Sequence, residues 1–230
     1  MVRTVNEQEY AERRNAILDV TQQLVATKGY EQMAIQDILD ALQISKGAFY
    51  HYFASKPALL LALVERIGDQ VEQVVLPIIH DPTAGALEKL QRFFAALDQR
   101  KIENKRFVLA YMHVWYGDEN AIVRHKLHLA RIKRFTPWLE DIILQGTREA
   151  VMTTPYPDQA ARFVLSLLED LGYATVDLLL AEEHGPDDLP HLQRIVTATV
   201  DALERVLGAP TGCLQRASRE ELEPWLSPSS

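Results

Sequence analysis

Apolar positions recur every three or four residues along almost the whole chain, and the alternating pattern of half-buried strands is scarce. This periodicity predicts an all-α protein. The predicted helices cover 7–28, 35–42, 46–52, 55–77, 84–99, 104–117, 120–147, 157–183 and 189–208, with a short helix at 218–226. Ser45 and Ser55 are placed to cap two of these helices, and Gly29 to end the first. Pro137 lies inside a predicted helix and is expected to kink or break it.

The pattern also suggests three parts to the chain. We predict a helix-turn-helix DNA-binding domain at 1–56, a helical ligand-binding and dimerisation domain at 57–212, and a C-terminal tail at 213–230. The loop "HDPTAG", residues 80–85, follows the helix across which the domains change.

Composition narrows the class of protein. Apolar residues make up 47% of the chain, which is enough for a hydrophobic core. A single cysteine, Cys213, excludes a disulfide framework and a cysteine-based zinc site. The N-terminus lacks the apolar core of a signal peptide, and charges interrupt every apolar stretch before it reaches a membrane span. We therefore expect a cytoplasmic protein with no membrane partner, cofactor or metal.

Charge argues against indiscriminate binding of nucleic acid. The formal net charge is -8, and residues 1–56 contribute six basic and seven acidic side chains, a net of -1. Any contact with DNA must therefore come from a local surface.

Such a surface is predicted in "ISKGAFYHYFASK", residues 44–56. Two short helices over 35–52, joined by a tight turn, have the size of a helix-turn-helix whose second helix enters the major groove. At its start, Ser45 and the first helical N–H groups can meet a phosphate, beside Lys46. Gly47 allows close approach, and Ala48 can touch a thymine methyl group.

The rest of this segment combines rings with polar tips. Tyr50, His51 and Tyr52 offer hydroxyl and imidazole groups to phosphates or base edges, and Lys56 can reach the DNA backbone again. Phe49 and Phe53 are expected to pack inward. The alternative is an aromatic helical corner that belongs entirely to a core.

The N-terminal sequence resembles a known family. "ILDVTQQLVATKGY", "IQDIL" and "ISKGAFYHYFASK" occur in the order and spacing of the DNA-binding domain of TetR/AcrR-family transcriptional repressors, within residues 11–64. The resemblance implies a dimeric regulator that is not an enzyme, with three helices on each half of a palindromic operator and a C-terminal domain that binds a small molecule. The positions that carry over to DNA binding are Gln36, Ser45, Lys46, Gly47, Ala48, Tyr50, His51, Tyr52 and Lys56.

Four positions depart from the family pattern. Met33-Ala34 replaces a Thr-Thr pair, which removes a helix cap worth about 1 kcal/mol together with a phosphate contact. Gln43 replaces the turn glycine, and a left-handed conformation there costs about 1–2 kcal/mol. Gln36 stands where a basic residue is common, so it either reads a base or is solvated.

The C-terminal domain has two helices that are apolar around much of their circumference, within 160–183 and 191–208. A helix that is apolar on several faces must bury several faces. Two such helices from each subunit would form a four-helix dimer interface, and the alternative is monomer core alone.

Aromatic residues in the middle helices suggest a pocket for a small apolar or aromatic effector. The predicted ligand-binding residues are Phe94, Phe107, Tyr111, Trp115, Phe135, Trp138, Asp170 and Tyr173. Further polar anchors are His113, His125, His128 and Glu169, although ordinary core packing is the alternative for each ring. His125 and His128 have a spacing that suits a metal, but the surrounding basic residues favour a solvated face.

The sequence therefore predicts a ligand-responsive, sequence-specific transcriptional repressor. The alternative is a helical-bundle enzyme or small-molecule binding protein with a non-functional helix-turn-helix. The motifs for nucleophilic, phosphate-binding or zinc-dependent catalysis that we searched for are absent from the sequence.

Overall fold

A computed structural model describes residues 2–103, 105–116 and 121–227. Within these ranges the regular structure is entirely helical, which confirms the predicted all-α class. The helices are α1 Val2–Lys28, α2 Ile35–Leu42, α3 Lys46–Tyr52, α4 Lys56–Ile79, α5 Ala86–Glu103, α6 Lys105–Trp115, α7 Ala121–Arg148, α8 Pro157–Leu179, α9 Asp188–Leu207 and α10 Arg219–Leu226.

Helices α4 and α7 both continue through a proline: α4 ends two residues beyond Pro77, near which its end was predicted, and α7 does not break at Pro137, while the predicted kink there stays a prediction. Helix α4 continues past Pro77 to Ile79, and the two residues after the proline are buried. Helix α7 continues through Pro137, where a break was one expected outcome. Phe135 and Leu139 are buried on either side of Pro137. Their packing offsets the backbone hydrogen bond that the proline removes.

The chain divides into two compact units. The first contains Met1–Glu72 and Arg106–Val114, and the second contains Gln73–Lys105 and Trp115–Ser230. This division differs from the predicted boundary at residue 56, because the first turns of α4 bury Leu59 and other leucines in the core of the first unit. Compactness does not test which segment performs which function, so the functional domain assignment stays a prediction.

The core of the first unit holds α2 and α3 against α1 and α4. Ile17 of α1, Ile38 of α2, Phe49 of α3 and Leu63 of α4 belong to one buried cluster, and none is more than 2% exposed. Arg66 adds polar contacts between α4 and α1, donating to the Asp19 carboxylate at 2.6 Å. Helix α3, the predicted recognition helix, is therefore held in place by its packing against α1, α2 and α4.

The second unit is a helical bundle in which α7 packs on α5 and α8, α8 packs on α9, and α9 packs on α10. The predicted C-terminal tail is part of this unit. Glu204 of α9 is buried, and its carboxylate accepts hydrogen bonds from the N–H groups of Gly212 and Leu214, both at 2.9 Å. These bonds, with the buried side chain of Leu222, fasten the tail to the bundle.

Candidate nucleic-acid interface and ligand cleft

The turn between α2 and α3 has the left-handed backbone that the sequence analysis considered. Gln43 has φ 52° and ψ 41°, and the Ile44 N–H donates to the Leu39 carbonyl at 3.1 Å. This six-to-one bond is that of a Schellman motif, which normally has glycine at the left-handed position. The turn thus keeps its geometry without glycine.

The start of α2 uses a carboxylate in place of the family's hydroxyl. Ala34 provides no side-chain cap, but its backbone N–H donates to the Asp37 carboxylate at 2.9 Å. Lys28 donates to the same carboxylate at 2.7 Å. These bonds, the one from Lys28 first, hold the pKa of Asp37 below its ordinary value. The ion pair also compensates a negative charge at the predicted DNA face.

Helix α3 separates an inner ring from an outer polar face. The Ser45 hydroxyl accepts a hydrogen bond from the Ala48 N–H at 3.1 Å, which confirms the predicted cap. Phe49 is fully buried, whereas Lys46, Tyr50 and His51 are exposed. The face can therefore present an ammonium, a phenol and an imidazole to an approaching duplex.

Tyr10 of α1 is a neighbour of this face that sequence reasoning missed. Its ring lies 4.8 Å from Tyr52 and 5.7 Å from His51 between centroids. Tyr52 is half-buried by this packing. No periodicity links Tyr10 to α3, because the contact depends on how α1 crosses the motif.

Two predicted DNA-binding residues have internal partners. The Gln36 amide donates to Asp40 at 2.7 Å. The Lys56 ammonium donates to the Glu31 carbonyl at 3.2 Å and lies 4.3 Å from the centre of the Tyr30 ring. Burial, then the charge of Glu31, raises the pKa of Tyr30 to about 12. Lys56 thus also braces the turn that precedes α2.

The predicted ligand-binding aromatics fall in both units. Phe107 and Tyr111 belong to the first unit, where their rings stack 6.2 Å apart against its core. Phe135 and Trp138 pack edge to face at 4.9 Å in the second unit. The second unit also holds the other four predicted ligand-binding residues. Phe94 is half-buried and Trp115 is buried, whereas Asp170 and Tyr173 are exposed.

The second unit contains a partly open cleft of about 220 Å³ between α7 and α8. Its described lining residues are Ala121, Arg124, His125, His128, Glu169 and Tyr173. Tyr173 is the one member of the predicted ligand-binding set among them. Three of the further polar anchors also line the cleft, whereas Arg124 was missed, since its segment was interpreted as a solvated face.

The cleft is polar and its groups are linked. The Arg124 guanidinium donates to the Tyr173 hydroxyl at 2.7 Å and to the Trp115 carbonyl at 2.5 Å. Glu169 is 10% exposed at its side chain and forms an ion pair with Arg131. The prediction of a solvated face is therefore wrong at His128, which is half-buried beside Glu169 of α8.

His128 lies between these charges. Its Nδ1 is 3.7 Å from the Glu169 carboxylate. Burial lowers the pKa of His128, and Arg131 and His125 lower it further. Burial and the neighbouring basic side chains both disfavour a positive charge on the imidazole, so its neutral form is favoured.

Within the described ranges, no helix is long and apolar enough to cross a membrane. The same part of the chain holds no group of three His, Cys, Asp or Glu side chains that suits a metal ion.

A capped recognition helix on a three-helix base is the architecture of a helix-turn-helix DNA-binding protein. Two family models match the chain. Residues 17–63 match the bacterial regulatory proteins of the tetR family, and residues 114–180 match the tetracyclin repressor-like C-terminal domain. The chain belongs to the TetR family and is a DNA-binding transcriptional regulator; its relatives are regulators and not enzymes.

Curated relatives are similar to this chain over segments of different length. The HTH-type transcriptional repressor DhaR of Mycobacterium sp. (strain GP1) is 22% identical over 157 residues, covering 66% of this chain and 77% of that protein. An HTH-type regulator of Lactococcus lactis is 44% identical over 93 residues, covering 39% of this chain and 47% of its own length. The chain thus spans less than half of the second relative.

Solved structures share the fold. A TetR-family regulator from Pectobacterium atrosepticum has a TM-score of 0.59 at 19% identity, covering 88% of this chain and 98% of its own. A transcriptional regulator from Cytophaga hutchinsonii has a TM-score of 0.63 at 15% identity, covering 83% and 96%.

Proposed function

We propose that this protein is a homodimeric repressor that binds a palindromic operator and is released by a small-molecule effector in its C-terminal unit. The observation that carries the DNA-binding part is the exposed face of α3, with Lys46, Tyr50 and His51 outward over the buried Phe49. A short helix fixed by its own core and presenting these groups suits a major groove.

The roles on DNA follow from the side chains. Lys46 would contact phosphate and Tyr50 a phosphate or base edge, while Ala48 and Gly47 permit close approach. Ser45 would donate its hydroxyl proton outward, since its oxygen accepts from Ala48. Gln36 and Lys56 would exchange their internal partners for DNA or position the motif from behind.

Selection of sites from randomised duplex DNA, at roughly physiological salt, tests the proposal. We expect an enriched palindrome whose half-sites lie about one helical turn apart or a multiple of it. No enrichment by the folded protein would contradict the proposal.

Variants then locate the interface on the selected operator. Lys46→Gln should weaken binding and reduce the salt slope by about one, because one phosphate contact is lost. Tyr50→Phe removes only a hydroxyl and should weaken binding without changing that slope. Lys133→Gln, an exposed position on α7, is the matched control and should bind like the parent. Parent-like binding by both test variants would refute the assignment of this face.

The dimer is supported by apolar surface on α8 and α9. Phe163 of α8 is 55% exposed, and Ile195, Val196 and Val200 of α9 are half-buried. Apolar residues around a helix favour burial on more than one side, and a second copy could cover them.

Sedimentation equilibrium of Phe163→Asp tests this surface. We expect the parent to be a dimer and the variant to dissociate, because a carboxylate would be desolvated in the interface. Leu129→Asp, at an exposed apolar position of α7, is the control and should remain dimeric. A dimeric Phe163→Asp variant would place the interface elsewhere.

A further inference from the structure

We propose that the cleft between α7 and α8 binds a small neutral aromatic compound that carries a hydroxyl group, with this hydroxyl donating a hydrogen bond to Glu169. The inference rests on the proposed effector-responsive function and deepens it, because it assigns a chemical class to the effector. Phenol is the simplest member of that class.

An unsatisfied carboxylate oxygen is the first observation. Glu169 lines the cleft, and its side chain is nine-tenths buried and paired with Arg131 through Oε2. Its other oxygen, Oε1, is buried and has no hydrogen-bond partner among the described residues. An ionised carboxylate can only accept hydrogen bonds, and buried polar atoms are normally satisfied. The partner that Oε1 requires is therefore a donor, which either water or a ligand can supply.

His128 provides a second polar atom at the same wall of the cleft. Its Nδ1 is buried and unpartnered in the described part of the chain, and it lies 3.7 Å from Oε2 of Glu169. That distance is too long for a direct hydrogen bond, so a small polar group between the two side chains would satisfy both. A hydroxyl suits this position, since it donates one hydrogen bond and accepts others. It would donate to Glu169 and accept from an Nδ1–H of His128, the tautomer that the nearby carboxylate favours.

Charge at this wall favours a neutral donor over an ammonium group. Burial lowers the pKa of His128, and the positive charges of Arg131 and His125 lower it further. The same surroundings that favour a neutral imidazole disfavour a second positive charge beside it. A ligand carboxylate is disfavoured as well, because it brings no proton to Glu169 and would repel that side chain. A hydroxyl supplies the donor without a charge.

The size of the cleft and one exposed ring define the rest of the ligand. The volume is about 220 Å³, and an apolar cavity of about 150 Å³ holds benzene, so one substituted ring fits. Tyr173 lines the cleft and is 45% exposed, which leaves ring surface for a ligand. Its hydroxyl accepts a hydrogen bond from Arg124 at 2.7 Å, which holds the ring at the wall. An aromatic ligand can pack against this ring, edge to face or offset.

Isothermal titration with three single-ring probes tests the ligand class. Phenol and anisole share the ring and the oxygen, but the methyl ether of anisole has no proton to donate. We expect phenol to bind at millimolar concentration or below, and at least tenfold more tightly than anisole or benzylammonium. Absence of phenol binding to the folded protein would leave water as the occupant and overturn the proposal. Equal or tighter binding of either other probe would overturn it too.

The visible absorbance of 4-nitrophenol shows which form of a phenol binds. Its anion is coloured, its neutral form is not, and the two forms interconvert near neutral pH. A site in which a carboxylate accepts from the hydroxyl favours the neutral form and raises the pKa of the bound phenol. Binding should therefore reduce the colour. Unchanged or increased colour of the bound probe would refute the assigned role of Glu169.

Substitution of Glu169 tests the contact itself. Glu169→Gln keeps the size of the side chain and removes its charge, so phenol binding should weaken at least tenfold while anisole binding is unchanged. Asp170→Asn removes the same charge at the next position, which is exposed and outside the cleft lining, and is the matched control. Parent-like phenol affinity in folded Glu169→Gln would show that the hydroxyl binds elsewhere.

A second pair of variants tests the location without disturbing the ion pair of Glu169, and decides the question if Glu169→Gln fails to fold. Ala121 lines the exposed rim of the cleft, so Ala121→Trp should obstruct it and weaken phenol binding several-fold. Ala130→Trp places the same bulk at an exposed position on the opposite side of α7, about two and a half turns further on, and should bind like the parent. Equal affinity of the two variants would contradict a site in this cleft.

These results are separable from the test of the proposed function. Phenol should release the selected operator at concentrations at which anisole does not, because binding of the two ligands is linked. An operator that anisole releases, without phenol binding, would refute the hydroxyl class alone. Phenol binding without any enriched DNA site would refute the repressor and leave the cleft chemistry standing.

Discussion

Three helices end in the same backbone motif, but only one of them has glycine at the left-handed position. The residues there are Gln43 with φ 52°, Ala150 with φ 57° and Gly208 with φ 61°. The six-to-one bonds run from Ile44 to Leu39, Val151 to Gly146 and Ala209 to Glu204, at 3.1, 2.9 and 2.9 Å. Gln43 lies in the turn of the helix-turn-helix, so its conformation also sets the path into α3.

Gln43→Gly should stabilise the protein. A non-glycine residue in the left-handed region costs about 1–2 kcal/mol, which the substitution removes. Glycine also raises the conformational entropy of the unfolded chain, which reduces the gain in the free energy of unfolding by about 0.4–1 kcal/mol. Gln43 is exposed, so little packing is lost. The net expectation is a gain of about 0.5–1 kcal/mol in the free energy of unfolding.

Urea denaturation followed by far-ultraviolet circular dichroism measures this change. Gln43→Ala should show no comparable gain, because alanine keeps the strain, and Ala150→Gly should gain by a similar amount. Gly208→Ala should lose about 2 kcal/mol or more, since strain returns and the new Cβ would meet the Thr153 backbone at 3.1 Å. A stabilised Ala150→Gly beside a neutral or weakened Gln43→Gly would refute the reasoning for the turn.

Two other predictions concern a buried acid and a helix cap. Burial opposes ionisation of Glu204, but bonds from Gly212, Leu214 and Arg216 outweigh it and lower the pKa. Its carboxylate therefore stabilises the fold above the ordinary pKa, and this stability is lost as the pH falls through the lowered value. Glu204→Gln should cost about 2 kcal/mol at neutral pH in urea denaturation and flatten the loss on acidification; parallel pH curves would contradict this. Ala34→Thr supplies the missing cap and should raise the free energy of unfolding by about 1 kcal/mol in the same assay, whereas Ala34→Val, without a hydroxyl, should not.

The helices could be predicted from the sequence because their signals are local. Ser45 caps α3, Gly29 follows α1 with φ 79°, and the buried and half-buried apolar positions of α2 together have helical spacing. The continuation of α7 through Pro137 was not predictable in this way. It depends on burial of the turns around the proline, which is a property of packing between helices.

The two candidate sites differ in how far sequence could define them. The recognition face lies within one short helix, so the alternation of Phe49 with Tyr50 and His51 already separates its inside from its outside. The cleft joins α7 to α8, and Arg124 and Tyr173 are 49 residues apart. Only their relative placement reveals that they meet.

The aromatic residues of the middle helices led the sequence analysis toward an apolar effector, and their burial changes that argument. Phe107 and Phe135 are no more than 9% exposed, so their rings are already satisfied by the cores around them. A ring that is fully packed by protein gives little surface to a ligand. The polar side chains of the cleft are in a different position, because the buried Oε1 of Glu169 and Nδ1 of His128 have no hydrogen-bond partner among the described residues. Capacity for a further polar contact is therefore found among the side chains between α7 and α8 and not among these buried rings, which is why the rings alone do not define a binding site.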